Sequence, residues 1–158
     1  MFAAPASITP KVFARIPDKF AFKGRTSIWV ETQLHGAPTP NFLEGPSFDR
    51  AGNLYVTDIP WGRIFKITPS GEVSVAAEYD GEPNGLKFHK DGRGFIADHK
   101  NGIMVFDPST GKVEPWLDRP LLQRFKGTND LVFASNGDLY FTDQGQTGLH
   151  DPTGRLYR

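Results

Sequence analysis

One phrase is written three times along this chain, and no other feature limits the fold so tightly. It runs from Glu44 to Asp58, again from Pro83 to Asp98, and again from Thr128 to Asp143. Aligning Gly52, Gly92 and Gly137 brings Phe48, Phe88 and Phe133 into register, together with Asp58, Asp98 and Asp143, at spacings of 40 and then 45 residues. A period of this kind means stacked copies of one supersecondary unit, because a single copy cannot bury its own apolar face. Each copy here is a short apolar strand, a turn rich in Gly, Asn and Asp, and a second strand closing on Asp. The pattern predicts an all-β chain built from the blades of a β-propeller.

Residues 44–158 divide on this basis into about three four-stranded blades, the third incomplete. Blade one has turn chemistry at Asp49–Asn53 and at Pro69–Gly71, and blade two repeats the plan at Lys90–Gly92 and Pro108–Gly111. Blade three opens with Leu131–Phe133, Asn136-Gly137 and Leu139–Thr142, and Gly154–Arg158 begins its third strand. Residues 1–43 stand outside the repeat. In them Lys11–Ile16 alternates as a strand that could close a ring, and Ser27–Thr32 reads as a second strand. Gly36–Pro40, with two prolines in three positions, reads as a loop. Closed propellers have about 4–8 blades, so the expectation is that this chain is the N-terminal part of a longer protein. Its open blade edges would then be prone to self-association, and pairing of two copies into a pseudo-closed ring is the other way to satisfy them.

Four residues before each aligned phenylalanine stand Glu44, Asn84 and Asn129, followed by Gly45, Gly85 and Asp130. A propeller carries equivalent positions of successive blades round one axis. Three oxygen-bearing side chains are therefore expected to converge beside the innermost strands, at the central channel. A carboxylate with carboxamides suits a hard cation such as calcium, which takes six to eight oxygen ligands. A cation held in such an open site polarises an ester carbonyl and acidifies bound water. No Gly-x-Ser-x-Gly elbow is present to suggest a serine nucleophile instead.

Composition excludes several alternatives. Lys plus Arg equals Asp plus Glu at 18 each, with no basic stripe, which argues against nucleic acid or an anionic membrane as partner. The absence of cysteine removes disulfides, thiolate metal sites and a cysteine nucleophile. No apolar run is long enough to span a bilayer, and Met1–Pro10 lacks the charged and apolar regions of a signal peptide. A cytoplasmic location and a small-molecule partner are the expectations that remain.

The Glu44-Gly-Pro motif, the Pro83-Asn-Gly motif with Asp98, and Asn129-Asp-Leu-Val-Phe with Tyr140-Phe-Thr-Asp143 together resemble the gluconolactonase family, which includes regucalcin and luciferin-regenerating enzyme. The resemblance covers roughly residues 42–158 and implies a six-bladed ring with a divalent cation on its axis. It implies calcium above zinc, magnesium or manganese, and a metal-dependent hydrolase of sugar lactones or related cyclic esters. On it Glu44 is a metal ligand, Asp130 matches a position that approaches the metal in some relatives, and Asn129 contacts substrate or metal-bound water. Asn84 occupies the equivalent place in blade two and is taken as a second substrate contact. The family's general base would lie beyond Arg158. The alternative is a non-catalytic calcium-binding or protein-interaction propeller, distinguished by whether blades four and five carry the family's Asn and Asp.

Each residue also has a plainer role. Glu44 could cap a turn, and Asn84 in Pro-Asn-Gly sits where Asn favours turn geometry. Asn129 lacks a following Gly, which weakens that account. Asp58, Asp98 and Asp143 recur in every blade and are expected to bond loop amides. The four histidines share no register. His99, directly after Asp98 at a strand end, is the one placed where it could act. Trp61 and Trp116 are expected to pack, with Trp61 close enough to the channel to line its mouth.

Overall fold

A computed structural model describes residues 5–158. It contains three antiparallel sheets. The first is the meander β1 (Leu43–Phe48), β2 (Leu54–Asp58), β3 (Arg63–Ile67) and β4 (Val73–Glu78), and the second repeats it with β5 (Pro83–Phe88), β6 (Gly94–Asp98), β7 (Gly102–Asp107) and β8 (Lys112–Leu117). The third has β9 (Thr128–Phe133), β10 (Leu139–Asp143) and β11 (Arg155–Tyr157). These are three consecutive propeller blades.

The turns follow from their residues. Between β1 and β2 the Asp49 carboxylate accepts the Asn53 amide at 2.9 Å, and Gly52 takes φ +81°. A left-handed residue is needed there, and Gly supplies it without a Cβ clash.

Strand alternation then distributes the core. Tyr55 and Ile64 of blade one meet Leu86, Ile96, Met104 and Phe106 of blade two. The neighbours of Ile96 point the other way, so Phe95 and Ala97 join Ile103 against Leu131 and Phe141 of blade three. Because β6 and β7 are covered on both faces, they read as continuous apolar runs, whereas the outer strand β8 is mostly exposed.

The N-terminal region departs from the sequence expectation. Ser27–Thr32 is not a strand: Ile28–Gln33 forms a short helix, α1, with the Ser27 hydroxyl accepting the Val30 amide at 3.2 Å. Serine at an N-cap favours that start. Trp29 and Val30 then bury against Ile59, with Leu34, Phe42 and Trp61 around them, and this packing outweighs the strand propensity of Ile-Trp-Val. Lys11–Ile16 pairs with no strand among the described residues. Its alternation survives as packing, with Ala14 and Ile16, followed by Phe20, laid against Val56, Phe65 and Ile67 on the face of blade one that looks away from blade two. Arg63, 2% exposed, holds this segment by donating to the Phe20 carbonyl at 2.9 Å and to Asp58 at 2.6 Å. Its guanidinium lies 4.1 Å from the Phe22 ring centroid. None of the described helices is long and apolar enough to cross a membrane.

Candidate functional site

Glu44, Asn84 and Asn129 are each the second residue of an innermost strand. The backbones of these strands come very close. A Cβ on Gly45 would overlap the Asn84 carbonyl and stand 2.8 Å from the Leu86 nitrogen. One on Gly85 would stand 2.6 Å from Asp130 Oδ1 and 2.9 Å from the Asn129 carbonyl oxygen. Glycine after the first two donors is thus what lets blades one, two and three crowd together at a common level, and the predicted residues lie on neighbouring strands.

In every blade the ladder is irregular at this point. The register slips between Glu44 and Ser47, between Pro83 and Gly85, and opposite the Phe141 to Asp143 step, where Asn129 and Asp130 face Thr142. Bulges re-aim side chains and leave residues unpaired. The bulges take Asn84 and Asn129 out of the ladder in blades two and three, whereas Glu44 stays paired with Thr57 and the slip of blade one falls just after it, on Gly45 and Pro46.

The repeated aspartates fix where these bulges sit. Asp58 accepts the Phe42 amide at 2.8 Å, Asp98 the Glu82 amide at 3.0 Å, and Asp143 the Lys126 amide at 2.8 Å. Each carboxylate ties the end of a second strand to the segment leading into the innermost one. Asp98 also accepts Lys100, Asn101 and the Tyr79 hydroxyl, and Asp143 accepts Gly145. The expected bonding to following loops therefore holds for Asp98 and Asp143, whereas Asp58 turns instead to Asn41 and Arg63. Burial lifts the Asp98 carboxyl above the usual carboxylate range, against the pull of its hydrogen bonds, and it lifts the Tyr79 hydroxyl well above the usual phenol. Two threonines complete the frame. Thr57 donates to the Asn84 carbonyl at 2.6 Å, and Thr128 donates to the Asp98 carbonyl at 2.7 Å.

Glu44 and Asp130 are exposed, and Asn84 and Asn129 are half-buried. Asp130 Oδ1 accepts the Leu131 amide at 2.8 Å, which turns the carboxylate back along its own strand beside Gly85. Two carboxylates and two carboxamides are hard-oxygen donors of the kind a calcium ion takes. Among the described residues, however, no three acidic, histidine or cysteine side chains are grouped to hold a metal. The chemistry of the set is of the kind a hard cation takes.

Trp61 packs as expected, away from the channel mouth, and His99 has a partner that the sequence did not announce. Trp61 donates to the Pro40 carbonyl at 3.1 Å and packs edge-on against Phe22, which makes it part of the N-terminal packing. His99 is partnered: its Nδ1 lies 2.8 Å from Glu82 Oε2, with the two side chains only 12% and 16% exposed. Glu82 carried one signal in the sequence, since the residues in register with it are Phe42 and Gly127, so only blade two places a carboxylate there.

Residues 42–158 match the family model described as SMP-30/gluconolactonase/LRE-like region. The chain is 34% identical over 125 residues to the lactonase drp35 of Staphylococcus aureus strain MW2, and 35% identical over 123 residues to that of Staphylococcus epidermidis. Each alignment covers 73% of this chain and 36% of the relative, so the chain spans about a third of the length of the curated relatives it matches. Among solved structures, a gluconolactonase from Xanthomonas campestris superposes with a TM-score of 0.65 at 23% identity, over 74% of this chain and 43% of that one. A virginiamycin B lyase from Staphylococcus aureus superposes at 0.57 and 17% identity, over 75% and 42%. At these identities the structural likeness establishes the propeller fold.

Proposed function

Because this chain belongs to the SMP-30/gluconolactonase/LRE-like family, we propose that the protein it builds hydrolyses sugar lactones or related cyclic esters at the axial end of its innermost strands. The observation that carries this proposal is the set of oxygen donors Glu44, Asn84 and Asn129, one per blade, each at a ladder irregularity. The similarity to drp35 lactonases supports the substrate class. The activity belongs to the whole protein, of which these blades contribute part of the site.

Glu44 and Asp130 would hold a divalent cation, with calcium the best match to an all-oxygen set. Such a cation, when bound, supplies Lewis acidity toward the ester carbonyl. Asn129 and Asn84 would orient the substrate by donating from their carboxamides to its oxygens. Their backbones are held for this purpose, Asn84 by Thr57 and the strand of Asn129 by Thr128. Positioning of this kind lowers a barrier by removing the freedom of the reacting groups in advance.

The test is Glu44→Gln in the full-length protein, which keeps shape and one carbonyl oxygen while deleting the charge. Calorimetric calcium titration and a pH-stat assay with a sugar lactone are expected to show calcium affinity reduced at least about ten-fold, with a parallel loss of rate. Unchanged affinity and rate would return Glu44 to a turn-forming role.

A further inference from the structure

Three side chains from three different parts of the molecule meet above the donor strands. Gln33, at the end of α1, donates to Gln146 Oε1 at 3.2 Å across 113 residues of sequence. Gln146, in the loop after β10, places its Nε2 on His99 Nε2, and His99 Nδ1 reaches Glu82 at 2.8 Å. α1 sits on blade one through Trp29 and Val30, His99 belongs to blade two, and Gln146 belongs to blade three. Blades diverge from their axis, so side chains from three in a row come within bonding reach only near the axis. The end of the channel is also fixed. His99 follows Asp98, the ladder partner of Pro83, and Gln146 lies three residues after Asp143, the partner of Thr128. Asn84 and Asn129 are the next residues along those inner strands. A Cβ on Gly127 would stand 2.8 Å from His99 Nε2, which sets the imidazole over the segment leading to Asn129.

The hydrogen bonds have one direction. Glu82 can only accept, so His99 Nδ1 carries the proton and Nε2 offers a lone pair, to which the Gln146 amide donates. An imidazole oriented through Nδ1 by a carboxylate, with its second nitrogen open as an acceptor, is the arrangement of a general base. Gln146 is a non-glycine residue at φ +50°, a backbone that costs energy to hold, and its loop walls a polar cavity of about 460 Å³ with Gln33, Thr147 and His150.

We propose that His99, backed by Glu82, is a catalytic proton-transfer residue at the mouth of the axial site, with Gln146 occupying its Nε2 until substrate displaces it. This rests on the lactone-hydrolase proposal above. In place of the general base that the resemblance puts beyond Arg158, His99 Nε2 accepts a proton from water as the water oxygen bonds to the lactone carbonyl carbon. When the tetrahedral adduct collapses and the ring C–O bond breaks, the imidazolium returns that proton to the departing ring oxygen, and the product is the open hydroxy acid. The charged groups nearby are few. Glu82 is in contact, Asp98 is spent on backbone amides and Tyr79, Lys100 pairs with Asp80, and Lys126 bonds Thr153. α1 brings the neutral Gln33.

The test uses full-length protein and a sugar lactone, with kcat, KM and the pH profile of kcat/KM measured for wild type, His99→Gln and Glu82→Gln. His99→Gln is expected to lower kcat by about 10²-fold or more, with KM within a few-fold, and to remove the acid limb of the profile. Glu82→Gln keeps the imidazole but not its carboxylate, and is expected to lower kcat and move that limb to lower pH. It serves if His99→Gln fails to melt cooperatively. A wild-type rate and intact acid limb in His99→Gln, or in Glu82→Gln where only that variant folds, would overturn this assignment alone. A wild-type protein that opens no lactone would overturn the hydrolase proposal and this one with it.

Discussion

Three glycines separate two physical costs that are usually confounded, and they test the close approach on which the site depends. Gly45 has φ +54° and no room for a Cβ, Gly85 has no room but an ordinary φ, and Gly92 has φ +95° with nothing within 4 Å. An L-residue in left-handed backbone costs about 1–2 kcal/mol. A methyl forced against backbone costs a further 1–3 kcal/mol or so. Gly92→Ala should therefore lose about 1–2 kcal/mol, Gly85→Ala about 1–3 kcal/mol, and Gly45→Ala the sum, roughly 2–5 kcal/mol. Urea denaturation of the four proteins reads these as shifts in midpoint at constant slope. The two inner-strand variants should also weaken calcium binding, since relief of the overlap must push Glu44 away from Asn84, or Asn84 away from Asp130, while Gly92→Ala should leave it intact. If Gly45→Ala cost no more than Gly92→Ala, the inner strands would not pack as closely as described, and the convergence of donors would lose its basis.

Arg63→Ala should cost about 3–5 kcal/mol by leaving Asp58 buried without its cation, and limited proteolysis should then cut near Phe20 and Phe22, the segment that Arg63 holds. The pH dependence of stability has a defined sign at Asp98. Its folded carboxyl is raised by burial, so the native state binds that proton more tightly than the unfolded chain. This stabilisation is present below the unfolded value near 4 and is lost as pH rises through the folded value. Thermal melts from pH 3.5 upward should show the decline in wild type and its absence in Asp98→Asn. That variant should also lose about 1–3 kcal/mol at neutral pH from the Glu82 amide it leaves unpartnered.

Periodicity made the blades legible, because strands buried on two faces must be apolar throughout and the turns between them need Gly, Asn or Asp. The level of the oxygen donors was legible for the same reason. The bulges were not, since a one-residue slip in a ladder leaves no mark in composition. Nor was α1: Ile28-Trp-Val reads as strand until Phe42 and Ile59 are known to be waiting for Trp29 and Val30. The partner of His99 lay 17 residues away with no repeat to announce it. Contacts between blades that depend on loops, such as Gln33 with Gln146, have no periodic signature at all.

That asymmetry suggests how a repetitive ring comes to hold a site that is not symmetric. Residues identical in every blade, the turn glycine, the phenylalanine and the clamp aspartate, perform a task each blade needs, and a change in any of them damages one blade's geometry. Chemistry has to come from register positions where the blades differ. At the donor level these are Glu44, Asn84 and Asn129. Just before that level, the residues whose amides bond the three clamps are Phe42, Glu82 and, one residue out of register, Lys126, which are apolar, acidic and basic in turn. The same aspartate hydrogen bond therefore presents a different side chain in each blade. In blade one it sets Phe42 under α1, in blade two it holds Glu82 against His99, and in blade three it directs Lys126 to Thr153. The scaffold and the site meet at these three amides, so a clamp substitution should disturb function in proportion to what its own blade presents, with Asp98, which carries Glu82, the most consequential for proton transfer.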